Sequence, residues 1–221
     1  MSNIQTDMNI VANLLRKQRI CNDISPISNA IAKSKKDGVY NVEKLQLSVN
    51  IVPRETRPNV KVLSIIFDNL VRYQNNVVNW DNYCFRIVIK GNNEIGTFKS
   101  AWHLDYDIKE HEYMHPCFHF TFGGEKIDDV NSGGLLIMTT PRIVHPPLDF
   151  VLGIDFVLSN FFKKEEYTII KSNPLYRAAV KHSQDRLWKP FVCSVCNSIN
   201  QSNHPLDNYF SAQQLIPTIV C

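Results

Sequence analysis

The chain has 221 residues and a mass of 25.5 kDa, enough for one large domain or for one domain with a small appendage. Its 44% hydrophobic and 20% charged residues are ordinary for a globular protein, and 24 Lys+Arg against 21 Asp+Glu leave a net charge of +3. That balance excludes a histone-like polycation and an acidic disordered tail, while 8 Gly and 11 Pro exclude collagen-like and linker classes.

The first element predicted is an amphipathic helix over residues 6–20, with Met8, Val11, Leu14 and Leu15 on one side and Asp7 as its N-cap. A second short helix covers residues 25–36. Ser25 can cap it, Pro26 suits the first helical position, and Gly38 ends it. Residues 1–36 hold six Lys/Arg against two Asp. This is either a solvated basic face or a docking surface for nucleic acid or a protein partner. No aromatic residue is interleaved, so a stacking platform for single strands is not supported.

Leu45, Leu47, Val49 and Ile51 alternate within residues 40–52, the pattern of a half-buried strand. A loop runs from Pro53 to Pro58. Residues 60–73 are mixed: the β-branched start favours a strand, whereas Phe67, Leu70 and Val71 favour a helix. The reading is a strand passing into a short helix. Residues 83–90 form a strand, Gly91-Asn92-Asn93 a turn, and Ile95 to Asp107 a second strand. Residues 115–122 alternate strictly, and residues 134–140 read as a buried strand stopped by Pro141.

After this meander the character changes. Pro146-Pro147 opens a helix through Phe162 that is apolar on nearly every face and hence buried. Asn173 caps and Pro174 starts another helix, which Pro190 closes. Residues 193–221 are irregular. Strands gathered between helices give an α+β class: a central antiparallel β-meander flanked by N-terminal and C-terminal helices. The expected division is a helical segment over 1–38, an α+β core over 39–192 and a Cys-containing tail over 193–221.

No charged segment followed by an apolar run marks a secretory signal at the N-terminus. The apolar stretch Leu148–Phe162 is broken by Asp149 and Asp155 and falls short of the ~20 residues of a membrane helix. Cysteines stand at 21, 84, 117, 193, 196 and 221, and only Cys193 and Cys196 are close, which is not a disulfide framework. A cytoplasmic protein with no membrane contact is the expectation.

Five of the seven histidines lie between His103 and His145, and residues 101–131 carry seven Asp/Glu against two Lys. Residues two apart on a strand share a face. His103 and Asp105 therefore oppose Trp102, Leu104 and Tyr106. Likewise His115, Cys117, His119 and Thr121 oppose Phe118, Phe120 and Phe122. If the two strands pair antiparallel, His103, Asp105, His115 and His119 form a candidate metal set, with roughly 5–8 Å between side-chain roots. Imidazole with carboxylate suits Zn, Mn, Fe or Ni. Three ligands and a water would give metal-assisted hydrolysis, for instance of a phosphoester.

His145 stands at a strand-to-helix junction as a candidate catalytic group, with Arg142 three residues earlier to grip an anionic substrate. Asp155, a carboxylate in an apolar helix, needs a partner, and a sheet histidine or Arg142 would serve. The plain alternative makes these histidines hydrogen-bonded or solvated sheet residues and places Asp155 on a partly exposed helix face.

Cys193-Ser194-Val195-Cys196 is one CxxC, with His204 after it, His182 before it and Cys221 at the end. Structural zinc, a redox pair and plain reduced cysteines are all compatible with it.

His103-Leu104-Asp105 with a distal His145 is similar to the metal motif of iron/2-oxoglutarate dioxygenases, although this chain turns helical at Pro146. The succession YCFRIVIKG, IGTFKSAWHLDYDI, HPCFHFTFGG and GLLIMTTPRIVHPP, about a third of the chain, resembles the ubiquitin-conjugating-enzyme (UBC/RWD-like) fold. His145-Pro146 would stand where that family has its His-Pro-Asn element. The family's active cysteine is missing, since none occurs between 117 and 193. The resemblance implies a non-catalytic relative that binds protein partners. Two functions are thus expected: a metal-dependent hydrolase with a His/Asp-lined site, or a binding subunit of a multi-protein system.

Overall fold

A computed structural model describes residues 4–54, 56–74, 77–107, 117–123 and 143–193. Two helices, α1 (Ile4–Lys17) and α2 (Ser25–Asp37), precede six strands: β1 (Val39–Val49), β2 (Val62–Gln74), β3 (Val77–Asn92), β4 (Thr97–Tyr106), β5 (Phe118–Phe122) and β6 (Ile143–Val144). Three helices follow: α3 (Phe150–Phe161), α4 (Lys164–Lys171) and α5 (Pro174–Ser183), the last running into a π-helical turn over Gln184–Trp188. The strands lie in one sheet in chain order, each antiparallel to the next. This is the α+β meander with helices at both ends that the sequence predicts.

The sheet is two-faced. Along β2 every second residue from Leu63 to Tyr73 is buried. Ile65 and Phe67 of that row join Phe85, Ile87, Leu104 and Phe120 from the neighbouring strands in the core. Pairing with β1 and β3 on both sides holds β2 extended to Gln74. That overrides the helical spacing of Phe67, Leu70 and Val71, so no short helix forms there. Met8, Val11 and Leu15 of α1 and Ile27, Ala30 and Ile31 of α2 belong to the same core, as do Leu152, Ile154, Val157 and Leu158 of α3. The basic N-terminal segment therefore carries its charges on the back of two helices whose apolar stripes are buried in the core.

Several helix ends differ from the sequence reading. Asp7 is no N-cap. The helix starts three residues earlier, at Ile4, and leaves the Asp7 carboxylate buried and available for tertiary contacts. It accepts from His182 Nδ1 at 3.0 Å and from Arg186 Nη1 at 3.2 Å. Arg186 Nη2 also donates to Asp149 Oδ2 at 3.4 Å, and Asp149 Oδ1 accepts from the Leu152 N–H at 3.0 Å as the N-cap of α3. Gly38 does end α2, in the left-handed conformation (φ 71°), and a side chain there would overlap the Tyr73 carbonyl. Pro190 closes nothing. Helical conformation continues to Cys193, because the wider ring of the π-helical turn breaks the regular ladder before the proline has to. The expected strand over 134–140 lies outside the described residues.

Helix α3 approaches the sheet most tightly at Gly153. A Cβ on it would sit 2.7 Å from Phe85 Cε2 and 2.9 Å from Phe67 Cε2. Both rings are fully buried and stand edge-on at 5.6 Å, so neither can swing away. Gly153→Ala should therefore cost about 1–3 kcal/mol through overpacking, measured by equilibrium urea unfolding. A variant as stable as the parent would show that α3 does not pack this tightly.

Candidate functional site

The register of β4 on β5 builds the site. Trp102 faces Phe122, His103 faces Thr121, Leu104 faces Phe120, Asp105 faces His119 and Tyr106 faces Phe118. Directly opposed residues share a side of the sheet. Leu104 and Phe120 belong to the core. Their neighbours His103, Asp105, His119 and Thr121 consequently point to the opposite, outer face.

On that face two imidazoles meet one carboxylate. His103 Nε2 lies 3.0 Å from Asp105 Oδ2, and His119 Nε2 lies 4.0 Å from the same oxygen. The side chains are graded in exposure: His119 4%, His103 23% and Asp105 46%. His119 is the floor of the cluster and Asp105 its rim. Beside them the Thr121 hydroxyl is buried with no hydrogen-bond partner among the described residues. Two residues that the sequence reading did not single out share the face. Arg86 of β3 stands directly opposite His103, and Cys84 follows two residues away by alternation. The alternation of Tyr83-Cys84-Phe85-Arg86-Ile87 already carried that signal, with Phe85 and Ile87 as the inward pair.

Two imidazoles and a carboxylate suit proton transfer, and they suit a divalent metal. As they stand, the His103 ring is turned onto the carboxylate with His119 Nε2 4.0 Å from it, and among the described residues no three His, Cys, Asp or Glu side chains are grouped ready to hold a metal ion. His115 and Arg142 lie outside the described residues. Cys117 is described, but it is exposed just before β5 and lines a separate groove with Trp80 and Phe118.

His145 and Asp155 are not part of the cluster. The His145 ring packs edge-on against Phe120 at 4.7 Å and Phe156 at 5.8 Å, on the helix-covered side of the sheet. Its Nδ1–H donates to the Pro146 carbonyl at 2.6 Å. The sheet itself separates it from His103 and Asp105, which takes it out of the dioxygenase-like grouping. Asp155 is buried in α3, and its partners are neither histidine nor arginine. It accepts from Tyr176 Oη at 2.9 Å and Tyr167 Oη at 3.0 Å. Burial pushes its carboxyl above the usual range, and the bonds from the two phenols offset only part of that rise. Asp155 thus ties α3 to α4 and α5 instead of orienting the sheet histidines. Helix α4, which supplies Tyr167, was not read from the sequence, so that partner was invisible there.

Cys193 is exposed at the end of the helical path, and Cys196, His204 and Cys221 lie outside the described residues. No helix among the described residues is long and apolar enough to cross a membrane. No family model, curated protein or solved structure matches the chain.

Burial holds the His145 imidazole below its ordinary pKa, more strongly than the bond to Pro146 raises it. The unfolded chain then takes up this proton first as the pH falls. The stability linked to the neutral ring is complete above the unfolded value of about 6.5 and is lost as the pH drops from there through the lower folded value. The urea midpoint should therefore fall between about pH 7.5 and 5.5, and fall less in His145→Phe. An equal fall in both proteins would show that the ring is not held neutral by the core.

Proposed function

We propose that the protein is a hydrolase of phosphoester-type substrates that works through His103, Asp105 and His119, with Zn or Mn held by those three side chains. The observation that supports this is the convergence of two Nε2 atoms, from adjacent strands, on a single carboxylate oxygen. The three side chains are not grouped as metal ligands as they stand, so a cation with ligand distances of about 2.0–2.2 Å would require the rings and the rim carboxylate to turn towards it. The buried His119 is fixed in place, and Asp105 at the rim leaves an approach for substrate. A bound cation would lower the pKa of its water to around 7. Arg86, opposite His103 in the ladder, would hold a phosphoryl oxygen. In the free protein His103 Nε2 is paired with the carboxylate at 3.0 Å, so metal would have to displace that contact on binding.

A second reading rests on the 540 Å³ groove lined by Val77, Trp80, Phe118, Leu187 and Phe191. In it the chain is a non-catalytic binding subunit, the role implied by the ubiquitin-conjugating-like resemblance. In both readings the setting is cytoplasmic, in keeping with the free thiols of Cys21, Cys117 and Cys193.

Metal analysis after equilibration with Zn or Mn separates the two. The hydrolase reading expects one metal per chain in the parent protein and about tenfold weaker retention in His103→Ala and in His119→Ala, the order of loss for a disturbed metal site. Cleavage of bis-p-nitrophenyl phosphate should fall with it. Equal metal content in parent and variants would remove the hydrolase reading.

A further inference from the structure

The exposed side of α1 and α2 concentrates the positive charge of the chain. Six Lys/Arg against two Asp in residues 1–36 exceed the whole chain's net charge of +3, so the remainder is slightly acidic. All six cations, Arg16, Lys17, Arg19, Lys33, Lys35 and Lys36, are exposed, and none of them forms an ion pair among the described residues. We propose that this face of α1 and α2 binds the phosphate backbone of double-stranded DNA.

The arrangement of the charges is the first argument. With the apolar stripes of both helices buried in the core, Asn9, Asn13 and Lys17 form one exposed row on α1, with Arg16 beside them. Asn29, Lys33 and Lys36 form a second row on α2. At ~1.5 Å per residue each row runs for about 10–12 Å. That is long enough to meet several phosphates of a duplex, which carries one charge per ~1.7 Å of its axis. Amides beside ammonium and guanidinium groups are the donors that grip phosphate oxygens. The carboxylates of the two helices and their connection are engaged elsewhere. Asp7 is buried, and Asp23 and Asp37 accept the Ser25 and Val39 N–H groups at the two ends of α2, each at 2.9 Å.

Arg19 supplies the second argument. It follows α1 in the left-handed conformation, at φ 56°, the position that Gly38 occupies after α2. The Arg19 N–H donates to the Arg16 carbonyl at 3.0 Å and the Ile20 N–H to the Leu15 carbonyl at 2.9 Å, the two bonds that close a helix in this way. Glycine suits such a position, and a residue with a Cβ is strained there. A strained arginine kept where glycine would close the helix is explained by the charge it presents.

The composition of the face selects the partner. Residues 4–37 contain no Phe, Tyr or Trp. They offer neither a platform for stacking unpaired bases nor an aromatic anchor of the kind on which protein interfaces centre. No large apolar side chain in this stretch is exposed, so none is presented to a lipid surface. The connection between the helices is tucked in, with Ile20 and Cys21 buried, and gives no projecting loop for the minor groove of an RNA duplex. Contact with the outer phosphates of a B-form duplex, without reading its sequence, fits what remains. This surface lies on the helices that cover the inner face of the sheet, whereas His103 and Asp105 point from the outer face, so the proposal does not rest on the hydrolase reading.

The test is fluorescence polarisation of a labelled, mixed-sequence DNA duplex about two helical turns long with the full chain, in EDTA so that no metal site contributes. With about four or five phosphate contacts, affinity should fall about 100–500-fold between about 50 and 200 mM salt. Arg19→Gly should weaken binding and lower the slope of log affinity against log salt by about one. It should nevertheless melt at or above the parent temperature, so that lost binding is not lost folding. Lys33→Gln/Lys36→Gln should lower the slope by about two. Lys61→Gln removes an exposed cation outside the helices, one paired with Glu94, and should leave the slope unchanged. No duplex binding by the parent at about 50 mM salt would overturn the proposal. So would a slope that the helix variants leave at its parent value, or an equal loss of slope in Lys61→Gln. Binding to the single strand, to an RNA duplex or to phosphatidylserine vesicles as tight as to the DNA duplex would overturn it too. Metal retention in the histidine variants is a separate readout, so the two proposals stand or fall independently.

Discussion

The pairing of Asp105 with His119 across β4 and β5 is the constraint on which both faces of this protein depend. It places Leu104 and Phe120 inside, where Phe120 stacks on Phe156 of α3 at 4.9 Å and meets Phe85 edge-on at 5.7 Å. It places His103, Asp105 and His119 outside, around one carboxylate oxygen. A slip of one residue would bury the acid and the imidazoles among phenylalanine rings and turn the rings to the other face. The aromatic core therefore fixes the geometry of the polar cluster, although none of the core rings belongs to it.

The helical layer is closed by a different device. Arg186 reaches Asp7 of α1 with one nitrogen, and Asp149 and Ser183 with the other. Tyr73 of β2 also donates to Asp149, at 3.4 Å. The first helix, the cap of the third, the turn after the fifth and the sheet thus meet at one guanidinium. Arg186 is only partly buried, but Asp7 and Asp149 are buried, so removing the guanidinium leaves two buried carboxylates without this charge partner. Tyr83 adds a second link: its hydroxyl donates to the Leu148 carbonyl at 3.0 Å and accepts from the Leu148 N–H at 2.9 Å. Both links end in the segment just before α3, where Pro146 and Pro147 have no N–H to offer.

The two faces of the sheet divide the work. The helix-covered face holds the titratable groups His145 and Asp155 in satisfied, buried contacts. The outer face holds groups whose arrangement is less easily explained by folding alone. Two imidazoles flank one acid, and the Thr121 hydroxyl is unbonded among the described residues.

The sequence by itself determined the class, the order of strands and the sidedness of β4 and β5. Each depends on local pattern: period-two alternation, turn residues, and the proline and asparagine at the start of α5. It did not determine the fate of Asp7, Asp149 and Asp155, since their partners lie up to 179 residues away in the chain. It misjudged β2 because a strand flanked on both sides needs no strong strand propensity of its own. It grouped His145 with His103 because spacing along a chain carries no information about which side of a sheet a junction residue enters. That choice was made by Phe120 and Phe156, whose rings receive the His145 imidazole on the covered side.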